Sequence, residues 1–179
     1  VFFVRTGVKV PETEMRNITD WSGETSYPKL YTWLSKHEGR NRTILDTLDR
    51  ATDEGRVSLV LSERVEHIKG LAEHYEDAGL LHGKVKGELR QKELMEHQVI
   101  FAITQIARDG LDRSDLNTVM ITMPFTDRGR FEQIIGRSQR SEKPIVIIFE
   151  DEHIGPCVGM CKRLRSHLRS LGYPFYTTD

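Results

Sequence analysis

The chain has 179 residues, 37% of them hydrophobic, which suffices for one globular core and argues against a second full domain. Lysine and arginine number 26 against 27 acidic residues, a net charge of -1, so contact with nucleic acid must come from a local patch and not from a global basic field. No apolar run reaches the roughly 20 residues of a membrane span, no repeat or low-complexity tract is present, and Cys157 and Cys161 alone are too few for a disulfide scaffold or a four-ligand metal site. The expectation is a soluble, cytoplasmic protein with both thiols reduced and at least one in a core. The opening Val1-Phe2-Phe3-Val4 lacks an initiator Met and a signal-peptide pattern, and reads as the start of a fragment of a longer protein.

Strand-like runs alternate with helical patterns, which predicts an α/β fold with a parallel sheet. Val1 to Val10 reads as the first strand, closed by Pro11. Residues 11 to about 25 are polar, carry Gly23 and read as a loop. Helical patterns follow at Tyr27 to Lys36 and at Thr43 to Glu54, where Ile44, Leu45, Leu48 and Ala51 share a face and Gly55 closes the unit. Val57 to Leu61 is apolar but for Ser58, as a strand covered on both faces should be. Ser62 at its end is placed to cap a helix marked by Val65, Ile68, Leu71, Ala72 and Tyr75, which Gly79 ends. Leu80-Leu81 leads into His82-Gly83, and a charged helix spans Gly87 to Glu96. Val99 to Ile103 and Thr118 to Met123 are further strands, the second stopped by Pro124. A helix bearing Gln133 to Arg140 precedes the strand Ile145 to Phe149. Val158, Cys161, Leu164, Leu168 and Leu171 mark a last amphipathic helix, whose basic face of Lys162, Arg163, Arg165 and Arg169 reads as ordinary solvation. The sum is a doubly wound sheet of five or six strands, with ligands expected beyond the C-terminal strand ends.

The most informative string is Gln133-Ile-Ile-Gly136-Arg137-Ser-Gln-Arg140. A guanidinium is planar, permanently charged and bidentate, which suits the charge on a transferring γ-phosphoryl group, and spacing of three brings Arg137 and Arg140 to one side of a helix. Taken alone, an R-x-x-R is more often a solvated basic turn. Upstream, Ser62-Glu63-Arg64 and Thr104-Gln105 each follow a buried strand, where hydroxyls and free backbone N–H groups make phosphate ligands. Singly, Ser62 also fits a helix cap and Thr104 a strand terminator.

The order of these motifs resembles the second, C-terminal RecA-like domain of superfamily 2 helicases. Ser58 to Ser62 running into its helix looks like motif IV, His82-Gly83 followed by Arg90 is similar to the segment after it, Thr104 with Gly110-Leu111-Asp112 resembles motif V, and Gln133 to Arg140 resembles motif VI. Gly39 to Ile44 and the compact order resemble the branch of phage and bacterial DNA-repair or recombination helicases and XPB-like enzymes. The resemblance implies an α/β RecA-like parallel sheet flanked by helices on both faces and spanning residues 1–179, preceded in the full protein by an N-terminal RecA-like domain that holds ATP and Mg²⁺. It implies Arg137 and Arg140 as catalytic arginine fingers, Arg140 the finger proper, with Gly110, Asp112 and Gln133 at the nucleotide. Ser62, Arg64, Gly83, Thr104 and Gln105 would lie near the phosphates of single-stranded or branched DNA, with RNA as the alternative partner and a bacterial cytoplasm, host or phage-infected, as the setting.

The chain itself has no G-x-x-x-x-G-K-[ST] loop: Gly83-Lys84 has Ala78 at the upstream glycine position and Val85 where the Mg²⁺-binding hydroxyl belongs. Glu150-Asp151-Glu152-His153 mimics a Walker B string but reads better as a charged strand exit. Half of an ATP motor, inactive by itself, is thus the leading expectation. An ATP-independent nucleic-acid-binding module is the second, and a small-molecule enzyme, lacking G-x-G-x-x-G and G-x-S-x-G, the third.

Overall fold

The computed structural model describes residues 1–108, 113–138 and 141–178, the side chains of 107, 108, 137 and 138 excepted. Its strands are β1 (Phe2–Arg5), β2 (Ser58–Ser62), β3 (Ala78–Leu81), β4 (Val99–Ile103), β5 (Thr118–Ile121), β6 (Ile145–Glu150) and β7 (Tyr176–Thr178). They form one sheet in the order β3-β4-β2-β5-β6-β1-β7, and every pairing is parallel. The helices are α1 (Tyr27–Lys36), α2 (Glu38–Asp53), α3 (Val65–Ala72), α4 (Gly87–Met95), α5 (Thr104–Arg108), α6 (Arg128–Ser138) and α7 (Gly155–Ser170).

Side chains alternate across each strand, so the sheet buries two faces. On one, Leu59, Leu61, Ile100, Val119, Ile121 and Ile148 pack with residues of α4, α6 and α7. On the other, Val60, Phe101, Met120 and Phe149 meet Ile44 and Leu48 of α2 and Ile68 and Leu71 of α3. A third cluster, Val8, Ile18, Leu30, Leu34, Met123, Ile154 and Cys157, lies past the strand ends and seats residues 8–36 there. Both cysteines are free and buried, and burial raises both thiol pKa values, Cys157 to about 12.

Several expectations need correction. The first strand stops at Arg5 because Gly7 takes a left-handed φ of 69°, and residues 12–17 form a 3-10 helix in what was expected to be loop. The third helix ends at Ala72, and Gly79 lies inside β3. There a Cβ would come within 2.1 Å of the Glu93 carbonyl oxygen, so glycine permits α4 to close on the strand. β7 was missed because its residues are exposed and carry no apolar signal. On the basic face of α7, Arg165 grips the Glu150 carboxylate through two bonds of 2.6 Å and lies 3.9 Å over the Phe3 ring, while Arg169 covers Phe175. These two arginines are packing groups, whose stems and planes serve the fold as much as their charge does.

α2 begins five residues before its expected start, with the His37 ring accepting from the Arg40 N–H. Arg40 falls on the same stripe as Ile44, Leu48 and Ala51 and is 0% exposed. Its guanidinium donates to Asp151 through Nε at 2.8 Å and Nη2 at 3.2 Å, and Nη2 also donates to the Thr122 carbonyl. Asp151 is equally buried and accepts from the Thr6 hydroxyl at 2.7 Å. Removing one member of such a pair strands a buried charge, at a cost of about 3–5 kcal/mol. Next to it runs a neutral chain: Asn41 accepts from His67 Nε2–H at 2.9 Å, and His67 Nδ1 accepts from the Ser62 hydroxyl at 2.9 Å. Burial, and secondarily the Arg40 charge, pushes the His67 pKa down to about 3.

Two outcomes follow. Arg40→Ala and Asp151→Ala should each lower the unfolding free energy by about 3–5 kcal/mol in urea, and the double variant should lose clearly less than the two added together. Independent losses that simply add would mean the pair carries no coupling. His67 binds a proton in the unfolded chain below about pH 6.5 but in the folded chain only near pH 3. Its share of stability is therefore whole above 6.5 and drains as pH falls towards 3. Between pH 6.5 and 5, His67→Gln should flatten the plot of unfolding free energy against pH. An unchanged slope would show that His67 is charged in the fold.

Candidate nucleotide and nucleic-acid interface

In an all-parallel sheet the C-terminal strand ends share one edge. The registers set Ser62 of β2 opposite Ile103 of β4, Leu61 opposite Ile121 of β5, and Leu81 of β3 opposite Ala102 of β4. The segments starting at Ser62, His82, Thr104 and Thr122 consequently leave the sheet side by side, though they are far apart in sequence. This is the edge on which open α/β sheets bind ligands.

Within that edge the expected residues differ in access. Gly83 is exposed, with open space where a Cβ would point. Gln105 is exposed, whereas Thr104, which opens α5, is buried. Ser62 is buried as well. Its hydroxyl is committed to His67 and accepts from the Arg64 N–H at 3.2 Å, so the residue at the helix cap position is Arg64. The Arg64 side chain reaches out to donate to the Pro28 carbonyl at 2.8 Å. Arg90 donates to the Ile106 carbonyl at 3.2 Å and so ties α4 to α5.

α6 carries the arginine string. Phe131, Ile134 and Ile135 fix its inner face in the core, and Glu132, Gln133 and Gly136 are exposed. Asp127 caps its start by accepting from the Arg130 N–H at 3.0 Å, and Glu132 meets His167 of α7 at 2.9 Å. Arg130, which no motif singled out, pairs with Glu63 at 2.7 Å and lies 4.8 Å over the Phe125 ring, joining α6 to the loop after β2. Arg137 falls in α6, one turn after Gln133. Its side chain, and the whole of Gly110, Asp112 and Arg140, lie outside the described residues. Directly after Asp112, Arg113 donates to the Leu94 carbonyl at 2.6 Å and to the His97 carbonyl, and Asp115 answers its charge at 2.7 Å, which holds the Asp115 carboxyl below its ordinary range.

The Glu150-Asp151-Glu152 string does not offer a Mg²⁺ site. Glu150 is gripped by Arg165, Asp151 by Arg40, and Glu152 accepts from the Gly7 N–H at 3.3 Å. Among the described residues no group of three His, Cys, Asp or Glu side chains could hold a metal, and no helix is long and apolar enough to cross a membrane.

Comparison with known proteins identifies the family and the fold. The family described as helicase conserved C-terminal domain matches residues 39–142. A protein of Acanthamoeba polyphaga mimivirus named "Putative ATP-dependent RNA helicase L396" is 32% identical over 143 residues, which are 73% of this chain and 27% of that protein. In solved structures, T4 UvsW superposes with a TM-score of 0.70 at 16% identity, over 99% of this chain and 40% of that one. The C-terminal domain of the DEAD-box protein Dbp5 gives 0.62 at 13% identity, over 80% and 84% respectively. The sheet with helices on both faces is thus a RecA-like fold. The chain spans about a quarter of its mimivirus relative, and it belongs to the helicase conserved C-terminal domain family.

Proposed function

We propose that this chain is the C-terminal motor domain of an ATP-dependent superfamily 2 helicase or translocase acting on DNA, in the branch of repair and recombination enzymes. One observation carries the reading: the helix bearing Gln133 and Arg137 is anchored beside the edge from which the Arg64, Gly83 and Gln105 segments emerge. A second RecA-like domain, absent from these 179 residues, would hold ATP and Mg²⁺, since this chain has no phosphate loop and its Walker B-like carboxylates are engaged.

In this reading ATP supplies the phosphoryl group whose transfer powers movement. Arg137 and Arg140 answer the charge that spreads over the γ-phosphoryl oxygens, a task of positioning and electrostatics. Gln133, exposed one turn before Arg137, orients the pair, and Gly110 and Asp112 link the nucleotide cleft to the strand. Backbone N–H groups after β2, β3 and β4, with Arg64, hold phosphates and read no sequence. The buried hydroxyls of Ser62 and Thr104 shape those turns from within. RNA is the second reading, favoured by the name of the mimivirus relative.

The test is ATP turnover by the longer protein with single-stranded DNA, branched DNA or RNA. Arg137→Ala and Arg140→Ala should each lower kcat by about 10³-fold or more while strand affinity holds. Turnover indifferent to both arginines would sink the motor reading, and turnover stimulated by RNA alone would replace DNA as substrate.

A further inference from the structure

Residues 8–36 precede the family match and contain none of the helicase-like motifs. They nevertheless form an ordered arm over the C-terminal sheet edge, seated through Ile18, Leu30 and Leu34. Within it Thr19 and Thr25 bridge antiparallel, and Asp20 organises the turn between them. The Asp20 carboxylate accepts from the Ser22 N–H at 2.9 Å, the Ser22 hydroxyl at 2.7 Å and the Glu24 N–H at 3.2 Å, and Gly23 closes the turn at φ 83°. The Lys29 ammonium fastens the base by donating to the Thr19 carbonyl at 2.6 Å. On this fixed turn stands Trp21, 99% exposed. A tryptophan held in water by so many hydrogen bonds is placed there, and its faces are free to stack.

Alongside lies a groove of about 440 Å³ lined by Lys29, Thr32, Trp33, Lys36 and Arg64 together with Asn17 and Pro28. Three cations face it and no acidic side chain does. The Trp33 Nε1–H donates to Glu14, whose side chain lines the neighbouring cavity together with Lys36 and His37. Cations spaced around aromatic faces are the requirement of single-stranded nucleic acid, whose phosphates and bases alternate along the chain. Arg64 belongs both to this groove and to the segment leaving β2, so the groove continues the edge described above. Glu24 is the acid nearest in sequence to the tip whose carboxylate the turn does not use.

We propose that the arm and the α1 groove form a second section of the single-strand path. The strand passes from Arg64 across Lys29 and Lys36, and a base stacks on Trp21. This rests on the nucleic-acid reading above and adds to it a contact surface outside the helicase motifs.

Trp21 and Trp33 are the chain's two tryptophans, so Trp33→Phe leaves Trp21 as the fluorescent reporter. Oligothymidylate and oligouridylate of about 16 nucleotides are the probes, and comparing them separates DNA from RNA. Either should quench Trp21 emission. Trp21→Ala should raise Kd about 5- to 100-fold, with Trp21→Phe restoring much of the loss. The Lys29→Ala and Lys36→Ala double variant should reduce the slope of log K against log salt by about 0.7 per lysine. Binding weakened by Arg64→Ala but unmoved by these variants would overturn the arm and leave the helicase reading intact. No binding of either oligomer by the unaltered chain would overturn both.

Discussion

Arg40 fastens three strand ends with one charge. Its partners are Asp151, one residue past β6, Thr6, one past β1 and joined through Asp151, and Thr122, one past β5. A guanidinium on the apolar stripe of α2 has no water to turn to, so these ends must stay where it can reach them. Net stability is the lesser result, since an apolar packing of similar volume would often serve as well. Geometry is the greater one. The arm of residues 8–36 departs just after Thr6, and α6 is reached from Thr122 by a short run, so both surfaces proposed to work on ligands start from points this ion pair holds.

The same economy governs the other arginines. Arg165 locks Glu150 against β1, Arg113 ends α4 and steadies the chain directly after Asp112, and Arg130 joins α6 to the loop after β2. Each is answered inside the chain by a carboxylate, by carbonyl oxygens or by an aromatic face. With so much of the positive charge committed, a net charge of -1 is compatible with a cationic groove. Lys29, Lys36 and Arg64 gather at one side of the arm, and one oxygen of the nearby Asp20 carboxylate, Oδ1, is engaged by its own turn.

Periodicity and motif order made the sheet legible. The buried strands β2, β4, β5 and β6 have largely apolar runs, and α1, α3 and α7 have clear spacing. What escaped was encoded by other means. Gly79 reads as a helix stop, yet its role is to admit the Glu93 backbone, a tertiary fact with no local signal. The start of α2 was hidden because the residue marking its inner face is Arg40, whose charge reads as solvent-facing until Asp151, 111 positions away, is brought beside it. Ser62 was correctly placed at a strand end, but its hydroxyl is directed inward by His67 and Asn41, partners that spacing does not reveal. The string at Glu150 reads as a charged strand exit despite its Walker B-like order; what sequence does not show is that the guanidiniums of Arg165 and Arg40 occupy its carboxylates.

The part of the arm before α1 was the least legible, and the reason is physical. Its residues are polar and its 3-10 helix and turn have no repeat of 3.6 or 2, so composition alone reads as loop. Order comes instead from a few apolar anchors, Val8, Ile18, Leu30 and Leu34, set against Met123, Ile154 and Cys157 at the strand ends. Tyr31 strengthens the seat by donating to the Pro124 carbonyl at 2.8 Å, and burial raises its hydroxyl pKa to about 12, so the donor keeps its proton. The surface that receives the arm is thus made by the exits of β5 and β6. Because β5 also leads into the arginine helix, a shift of α6 would be felt where Met123 and Pro124 meet α1. Through this contact α6 and the turn that carries Trp21 share one support.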